Sequence, residues 1–529
     1  MRRTIFVTAL SIAAIAVLVV PALSKAQQKT TTYDLVVYGG TASGVMTAIS
    51  AAREGATVAL LEPTGHLGGM VTGGLSSTDM GRQEVVGGMA REFYVRLGKV
   101  YGKAIEWFPE PHVAERVLNE MLSETSVTVC LNSRLRERTG VVRNGPRLKN
   151  IRTEDGKSWS AHVFADCSYE GDLMAQAKVS YTWGREGQDE FGETLAGVRE
   201  KTPKHQFTVD VPARGAGGKL LPGVQSKGKD KPGSADKKVQ AYNFRLCMTT
   251  NTANQVPFPK PPGYDPARYE LLSRMIDAFL AKNGRPPRVA ELMNPLGRLR
   301  DRKTDTNNNG AFSTDHIGGS WEYPNAGYKK RDIIWRDHYN YVAGFMWFLS
   351  HDKSVPQLLR NEMNTWGLAK DEFLDTDHWP RQLYVREARR MRGEYVMCQS
   401  DIQTSRTKPD SIGMGSYNSD SHNVQRIENA RGMAENEGDV QVPVQPYEIP
   451  YRILLPKRSQ AENLLVPVCL SATHVAYSTV RMEPVYMIMG QAAGVAAAMA
   501  VKNGGAVHDI DAGVLQGKLK TGGAILSRP

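Results

Sequence analysis

A short apolar run that ends in a glycine-rich turn constrains the fold of this chain more than any other feature. Residues 33–38 lead into Gly39-Gly40-Thr41-Ala42-Ser43-Gly44, and residues 45–52 have the composition of a helix. A second apolar run, residues 57–61, ends at Glu62. A strand, a tight turn, a helix and a second strand with a terminal acidic residue are typical of a dinucleotide-binding βαβ unit. The alternative is an ordinary βα turn of an α/β protein.

Each position in this turn has a physical role in the predicted unit. Gly39 permits the tight turn, and Gly44 lets the helix pack close to the strand. The helix N-terminus presents unpaired N–H groups and a partial positive charge to a pyrophosphate. Glu62 is placed to accept hydrogen bonds from ribose hydroxyls, and it would repel a 2′-phosphate. Thr41 departs from the usual pattern, which has a glycine there.

The first 26 residues have the pattern of a secretory signal peptide. Arg2 and Arg3 precede an apolar run from residue 5 to residue 23, and small residues follow up to Ala26. We predict cleavage after Ala26 and export to the periplasm or the extracellular space, with no stable membrane insertion of the mature protein. The arginine pair loosely resembles a twin-arginine signal. The alternative is an uncleaved anchor, because the apolar run nearly spans a bilayer.

Charge and cysteine content exclude several classes of function. The formal net charge is +11, but much of the basic excess lies in residues 219–238, where Gly, Pro and Ser are interleaved. That composition predicts a solvated flexible loop, and no nucleic-acid-binding module is recognisable. The five cysteines are scattered without a C-x-x-C pair. A zinc or iron–sulfur framework is therefore not predicted, and no metal site is proposed.

Further motifs divide the chain into a discontinuous domain and an insertion. Residues 65–75 hold many glycines, which suggests backbone close to a flat ligand. Residues 127–131 read as a buried strand, and Asp166 closes a second strand before a tight turn. Near the C-terminus a strand (463–470) is followed by a polar loop and a long Ala- and Gly-rich helix that opens at Glu483.

The predicted fold class is α/β, with a Rossmann-like, discontinuous cofactor-binding domain and an inserted mixed α+β substrate or cap domain. The first domain covers residues 30–200 and 445–525. The insertion covers residues 201–444 and contains a flexible basic loop at 212–238.

Several runs together resemble the FAD-dependent oxidoreductases of the glutathione-reductase-like flavoprotein superfamily, in particular an exported bacterial branch whose substrates are usually unknown. The matching runs spread over nearly the whole predicted mature chain and are residues 37–44, 66–70, 169–173, 383–391 and 474–494. Threonine at position 41 is normal for this branch.

The resemblance implies FAD as the cofactor and assigns residues to its parts. It places the ADP pyrophosphate at Gly39, Gly40, Thr41, Ala42, Ser43 and Gly44, and the adenosine ribose at Glu62. It places the flavin near Gly68, Gly69 and Met70, with Asp166 behind the second cofactor turn. The helix that begins near Glu483 would point its N-terminus at the flavin pyrimidine, where it would stabilise the negative charge of reduced flavin.

Two residues of the loop before this helix are candidates for chemistry. His474 is predicted as a general base that takes a substrate hydroxyl proton while hydride passes to flavin N5. Arg481 would bind a carboxylate or stabilise an oxyanion. The alternative is a structural loop tied by polar bonds. If residues 386–390 are helical, Arg386, Arg389 and Arg390 share one face and either bind an acidic group or form ion pairs with Glu387 and Glu394.

The sequence thus predicts an exported FAD-dependent oxidoreductase that transfers hydride between flavin N5 and a small organic substrate, an alcohol or a carbohydrate. One alternative is a flavin-dependent reductase of an activated double bond in a carboxylate substrate. Another is a non-catalytic nucleotide-binding protein with a structural flavin. The sequence identifies neither the substrate nor the electron acceptor.

Overall fold

The computed structural model describes residues 31–528, except Lys227, Lys229 and Ser405. The predicted signal peptide and its cleavage site lie outside the described residues. The strands are β1 (Thr31–Tyr38), β2 (Val58–Leu61), β3 (Thr128–Cys130), β4 (Val141–Asn144), β5 (Arg147–Arg152), β6 (Ser158–Asp166), β7 (Tyr181–Thr182), β8 (Leu246–Thr249), β9 (Gln255–Val256), β10 (Met293–Leu296), β11 (Lys303–Asn308), β12 (Gly367–Ala369), β13 (Arg390–Met391), β14 (Ser411–Gly415), β15 (Ser419–Ser421), β16 (Gln425–Glu428), β17 (Ala434–Glu437), β18 (Val440–Val442), β19 (Tyr447–Pro450) and β20 (Leu464–Leu465). The helices are α1 (Ala42–Arg53), α2 (Gly88–Val100), α3 (Pro111–Ser123), α4 (Asp172–Gln176), α5 (Gln188–Phe191), α6 (Glu270–Asn283), α7 (Val289–Leu292), α8 (Tyr328–His351), α9 (Gln357–Met363), α10 (Gln399–Gln403), α11 (His474–Val480), α12 (Glu483–Asn503) and α13 (Ala512–Thr521).

The first sheet has the strand order β3-β2-β1-β6-β5-β4. Strand β1 lies parallel to both β2 and β6, and β2 is parallel to β3. Strand β5 is antiparallel to both of its neighbours, β4 and β6. The C-terminal strand β20 returns to this sheet and pairs in parallel with β6. The Rossmann-like α/β fold is therefore confirmed, whereas the domain boundaries at residues 200 and 445 stay predictions.

Helix α12 packs directly on α1, and glycine makes the close approach possible. A Cβ atom at Gly490 would lie 2.3 Å from the carbonyl oxygen of Ser43, and one at Gly494 would lie 2.0 Å from Ser50 Oγ. Helix α12 is long and apolar enough to cross a membrane by composition, but 94% of its apolar window is buried inside the protein. It is a core helix, and it ends at Gly504 in the left-handed conformation, as the sequence predicts.

The inserted region carries a second, antiparallel sheet with the order β10-β11-β8-β12-β9. The long helix α8 follows this sheet's strand β11 in the chain. Strands and helices thus mix in the insertion, as predicted. The described residues of the basic segment 212–238 contain neither an α-helix nor a named strand.

Two local predictions are wrong, and one condition stated from the sequence is not met. The strand predicted within residues 127–131 is not buried, because β3 is the edge of its sheet and Val129 is 38% exposed. The segment 384–390 is not helical, so its three arginines do not share a face. The polar loop after residue 470 contains a helix, α11, which begins at His474 because the hydroxyl of Thr473 caps it by accepting the N–H of Ala476.

Candidate active site

A cavity of about 700 Å³ lies at the carboxyl ends of β1 and β2, and we call it the large cavity. Ligands of open α/β sheets bind at this end of the strands. Its volume is within the range of ~300–1,000 Å³ that is usual for ligand sites. From the first domain it is lined by Gly39, Thr41, Glu62, Gly69, Ser168 and Tyr169. From the insertion it is lined by Tyr323, Trp335, Tyr339, Trp379 and Leu383.

The backbone of the first turn requires glycine at three positions. Gly39 has a φ of +96°, and a Cβ there would lie 2.6 Å from the backbone nitrogen of Ser168. A Cβ at Gly44 would lie 1.9 Å from the carbonyl oxygen of Gly39. At Gly40 it would lie 2.5 Å from the side chain of Leu67. The turn is therefore as tight as the sequence pattern indicates, and it leaves space only on its cavity side.

Thr41 fits where the usual pattern has glycine, because its φ of −62° is allowed for any residue. Its hydroxyl accepts a hydrogen bond from the N–H of Gly44 (3.3 Å) and donates one to the carbonyl of Cys167 (2.8 Å). Thr41 thus caps α1 and ties the first turn to the second. Helix α1 begins with Ala42 and Ser43, directly after this cavity-lining residue.

The Glu62 carboxylate is already partly hydrogen-bonded by the protein. Oε2 accepts the N–H of Gly40 (2.7 Å), and Oε1 accepts both the N–H and the hydroxyl of Thr64 (2.7 Å each). Burial raises the pKa of Glu62, although these donors oppose the shift. Since a carboxylate has about four lone-pair positions, one stays available to a ligand in the cavity.

The carboxylate of Asp166 stabilises the second cofactor turn, which joins β6 to α4. This carboxylate accepts hydrogen bonds from the N–H and hydroxyl of Ser168 (3.1 and 2.6 Å) and from the N–H of Met174 (2.8 Å). Burial raises its pKa to about 6. Ser168 and Tyr169 of this turn line the large cavity, so Asp166 acts on the cavity through backbone geometry.

Tyr169 joins the glycine-rich segment to the start of α12. Its hydroxyl accepts the N–H of Met70 (2.9 Å) and donates to Oε1 of Glu483 (2.8 Å). A Cβ at Gly69 would lie 2.6 Å from this hydroxyl, and Gly68 has a φ of +96°. The buried Oε2 of Glu483 has no hydrogen-bond partner among the described residues, and burial raises the pKa of this carboxyl to about 8. Sequence segments more than 400 positions apart thus meet at Tyr169.

A second cavity of about 440 Å³, which we call the polar cavity, adjoins the same segments. Its lining includes Ser77, Asp79, Arg245, Tyr384, Asp420 and His422. The same two segments contribute different residues to the two cavities: residues 69, 72, 73, 382 and 383 line the large cavity, and residues 77–81 and 384 line the polar cavity. Arg245 forms a bidentate pair with Asp305 (2.6 and 2.8 Å). Burial and the nearby charge of Asp420 raise the pKa of Asp79 to about 6.

His422, which lines the polar cavity, pairs with the carboxylate of Asp315. No motif in the sequence indicates this pair. Nδ1 of His422 lies 2.7 Å from Oδ2 of Asp315, whose Oδ1 is 3.1 Å from the guanidinium of Arg386. Burial opposes ionisation of Asp315, but Arg386 and His422 lower its pKa to about 2. Burial and Arg386 lower the pKa of His422 to about 4. His422 and Asp315 are 107 residues apart and belong to no motif, so only the packing reveals them.

The family model described as FAD dependent oxidoreductase matches residues 34–519. The chain belongs to this family. It is therefore an oxidoreductase, and its cofactor is FAD. No functionally curated protein matches the chain.

Solved structures similar to part of this FAD-dependent oxidoreductase include three with low identity. The anhydrotetracycline hydroxylase OxyS of Streptomyces rimosus is 13% identical with a TM-score of 0.23, over 35% of this chain and 38% of that one. The L-proline dehydrogenase of P. horikoshii is 14% identical with a TM-score of 0.24, over 30% and 59%. The thioredoxin reductase of T. acidophilum is 17% identical with a TM-score of 0.17, over 32% and 39%. The chain thus spans less than two thirds of the length of each.

The residues of the large cavity fit FAD. Gly39 and Thr41 line the large cavity next to the N-terminus of α1, where a pyrophosphate would bind, and Glu62 retains one acceptor position for a ribose hydroxyl. The orphaned oxygen of Glu483 marks a polar position at the start of α12. Gly39–Gly44, Glu62, Gly68–Met70 and Glu483 would hold the cofactor, as the resemblance implies; the role of each residue stays a prediction.

His474 in this oxidoreductase lies behind the polar cavity, and it lines neither cavity. It is 1% exposed, and both ring nitrogens have partners: Glu387 Oε2 at 2.7 Å from Nδ1, and Ser421 Oγ at 3.2 Å from Nε2. The backbone N–H of His474 donates to Oε2 of Glu186 (2.8 Å). Burial and Arg390 lower its pKa to about 3. The catalytic role predicted for His474 stays untested, but this geometry is that of a buried structural histidine.

Arg481 lies closer to the polar cavity. Its Nη1 donates to the hydroxyl of Tyr384 (2.9 Å), and its Nη2 donates to the carbonyl of Asp420 (2.5 Å). Both partners line the cavity. The buried Nε has no partner among the described residues. Arg481 therefore positions two cavity residues, and its predicted contact with substrate stays a prediction.

The arginines of segment 384–390 form ion pairs. Ion pairing is the alternative stated from the sequence, there with Glu387 and Glu394 as the partners. Arg389 pairs with Asp172 (2.7 Å). Arg390 pairs with Glu186 and Glu387. Arg386 contacts Asp315, as described above. Because the segment is extended, each arginine reaches a different part of the molecule.

Proposed function

We propose that the protein oxidises a hydroxyl group of a small polar compound, an alcohol or a carbohydrate, with FAD as the hydride acceptor. Family membership supplies the cofactor and the redox class. The observation that carries the substrate class is the polar cavity, which adjoins the large cavity along two shared segments. A compound bound there would lie beside the cofactor site.

The charges around the polar cavity favour a hydroxyl-bearing substrate over a carboxylate. Asp79 and Asp420 offer acceptor oxygens to the cavity. Two cations line it: Arg245 is bound by Asp305, whereas Arg298 lies over the ring of Phe108 and has no carboxylate partner among the described residues. The guanidinium of Arg481 is held by Tyr384 and Asp420. Carboxylates accept hydrogen bonds from hydroxyl groups but repel a substrate carboxylate. This argues against the reductase of a carboxylate substrate.

The division of work in the proposed reaction follows from these positions. Bound FAD supplies a two-electron acceptor. Asp79 and Asp420 would orient the substrate hydroxyls, and Tyr384, fixed by Arg481, would close one side of the cavity. The cavity's partial enclosure would limit water around the reacting carbon, which strengthens each of these polar contacts.

We also propose that the protein is exported by its N-terminal signal, belongs to the glutathione-reductase-like branch and works in the periplasm or the extracellular space. The support is the composition of residues 1–26 and the runs quoted above. We expect the mature protein to begin at Gln27. N-terminal sequencing of the exported protein tests this, and a membrane-bound chain that retains Met1 would contradict it.

The substrate proposal is tested by anaerobic titration of the purified holoenzyme with a panel of sugars, polyols, hydroxy acids and enoates. We expect sugars or polyols to bleach the visible absorbance band of the oxidised flavin. We expect Asp79→Asn to raise the substrate concentration needed, whereas Asp210→Asn, at an exposed ion pair with Arg431, should not. If flavin absorbance persists with every alcohol, the oxidation of alcohols is refuted. If the flavin is first reduced with dithionite, its reoxidation by enoates alone would establish the reductase.

A further inference from the structure

His422 and its neighbour Ser421 point to opposite sides of the chain at the end of β15. The hydroxyl of Ser421 contacts His474 in the buried wall (3.2 Å), whereas His422 lines the polar cavity. Ser421 thus lies between His422 and His474. Of these two histidines, only His422 reaches a space that a substrate can occupy.

The environment of His422 fixes its tautomer. Asp315 is held ionised by Arg386, and it accepts the Nδ1–H of His422 at 2.7 Å. A hydrogen bond at one ring nitrogen determines that the other nitrogen carries the lone pair. Nε2 has no hydrogen-bond partner among the described residues, and the nearest charged atom given for it is Asp420 Oδ2 at 3.9 Å. A neutral imidazole with a free lone pair thus faces the polar cavity.

We propose that His422 is the general base of the oxidation, that its Nε2 accepts the proton of the substrate hydroxyl, and that Asp315 positions its ring. This proposal rests on the proposed oxidation of an alcohol in the polar cavity. The substrate O–H bond breaks, its proton binds Nε2, and its electron pair forms the new C=O bond. The hydride, with two electrons from the C–H bond, is accepted by FAD.

The charges around His422 suit this transfer. When Nε2 accepts a proton the ring becomes positive, and the carboxylates of Asp315 and Asp420 on its two sides stabilise that charge. Burial and the charge of Arg386 oppose it. The net effect is an imidazole that is unprotonated at neutral pH before the substrate binds, as a general base must be.

The free Nε2 can be tested without a substrate. The holoenzyme is treated with diethyl pyrocarbonate, which acylates unprotonated imidazole nitrogens, and its peptides are mapped by mass spectrometry. We expect modification of His422 and of His112, whose side chain is 49% exposed, but not of His474. Modification of His112 with His422 fully protected would overturn the proposal, because Nε2 would then not be accessible from the cavity.

The catalytic role is tested by stopped-flow reduction of the flavin, with an alcohol that bleaches the wild type. We expect His422→Gln to retain FAD but to slow the limiting rate by roughly 10²–10⁴-fold. Added imidazole should partly restore the rate of His422→Ala. Asp315→Asn should lower the limiting rate without changing the apparent Kd for the substrate, and Asp315→Glu should recover part of it. The matched control is His112→Gln, at a half-exposed histidine that lines neither cavity, and it should reduce at a near-normal rate.

The outcomes separate this proposal from the one on which it rests. If no alcohol reduces the flavin of the wild type, both the proposed function and the assignment of His422 as its base are refuted. If alcohols reduce the wild type and His422→Gln at equal rates, only the assignment of the base is wrong. If Asp79→Asn loses the limiting rate while His422→Gln retains it, Asp79 is the base instead.

Discussion

The two cavities of this oxidoreductase are built in different ways. The cofactor turn of the large cavity is made by the backbone of contiguous residues, with Gly39, Gly40 and Gly44 in positions where a Cβ would clash. The polar cavity is made by side chains from separate segments, held by charge pairs such as Arg245–Asp305 and Asp315–His422. Substitutions in the first should therefore act on cofactor retention, and those in the second on turnover or on the stability of the wall.

The steric constraint on the cofactor turn gives the largest expected effect. Gly44→Ala places a Cβ 1.9 Å from the carbonyl of Gly39, and this backbone atom cannot move without opening the turn. We expect a loss of about 3 kcal/mol or more in the free energy of unfolding, with little bound FAD. Urea unfolding and the flavin-to-protein absorbance ratio measure both. Gly65→Ala is the control, because no atom lies within 4 Å of its Cβ. Equal behaviour of the two variants would show that the turn is not sterically fixed.

The wall behind the polar cavity should respond to loss of a single buried side chain. His474→Leu removes the partner of Glu387 and leaves a buried carboxylate with one hydrogen bond fewer. We expect the free energy of unfolding to fall by about 2–3 kcal/mol. His162→Leu, at an exposed histidine, is the control and should cost much less. Equal stability of the two variants in urea would show that His474 does not stabilise the buried wall.

The buried carboxyl of Glu483, at the start of α12, predicts that the free energy of unfolding depends on pH. Its pKa is raised to about 8 in the folded protein, from 4.5 in an exposed state. Between these values the folded protein binds one more proton than the unfolded chain, so stability falls as the pH rises from about 5 to about 8. Glu483→Gln does not titrate, and its stability relative to the wild type should increase over this window by about 2 kcal/mol.

Urea unfolding at pH 5, 6.5 and 8 measures this difference. The exposed Glu84 provides a control, since Glu84→Gln should show no comparable trend. A constant difference between Glu483→Gln and the wild type across the three pH values would mean that Glu483 is ionised throughout.

The smallest expected effect is on the affinity for FAD. Glu62→Gln keeps an oxygen for the donors of Thr64 or Gly40 but removes the charge offered to the ribose. We expect the dissociation constant for FAD to increase about 10-fold, which corresponds to ~1.4 kcal/mol. Reconstitution of the apoprotein followed by flavin fluorescence measures it. Glu154→Gln, at an exposed pair with Arg134, is the control. An unchanged affinity would show that Glu62 serves the turn alone.

By itself, the sequence determined the parts of the molecule that depend on neighbouring residues. The βαβ unit was predictable because a tight turn demands glycine at fixed spacings, and helix α12 because an Ala- and Gly-rich stretch without proline runs from residue 485 to Gly504. Helix α3 was predictable from Pro111 in its first turn and its apolar face. These constraints are local, and each leaves a trace in a short window of sequence.

Only the tertiary structure decided which distant side chains meet. Whether a histidine faces a cavity or a buried wall depends on how the inserted region packs. His422 lines the polar cavity, whereas His474 is held in the buried wall by Glu387. The pair Asp315–His422 has no sequence spacing of its own. A base that consists of side chains from separate segments is specified by the packing of those segments, and a single sequence does not display that packing.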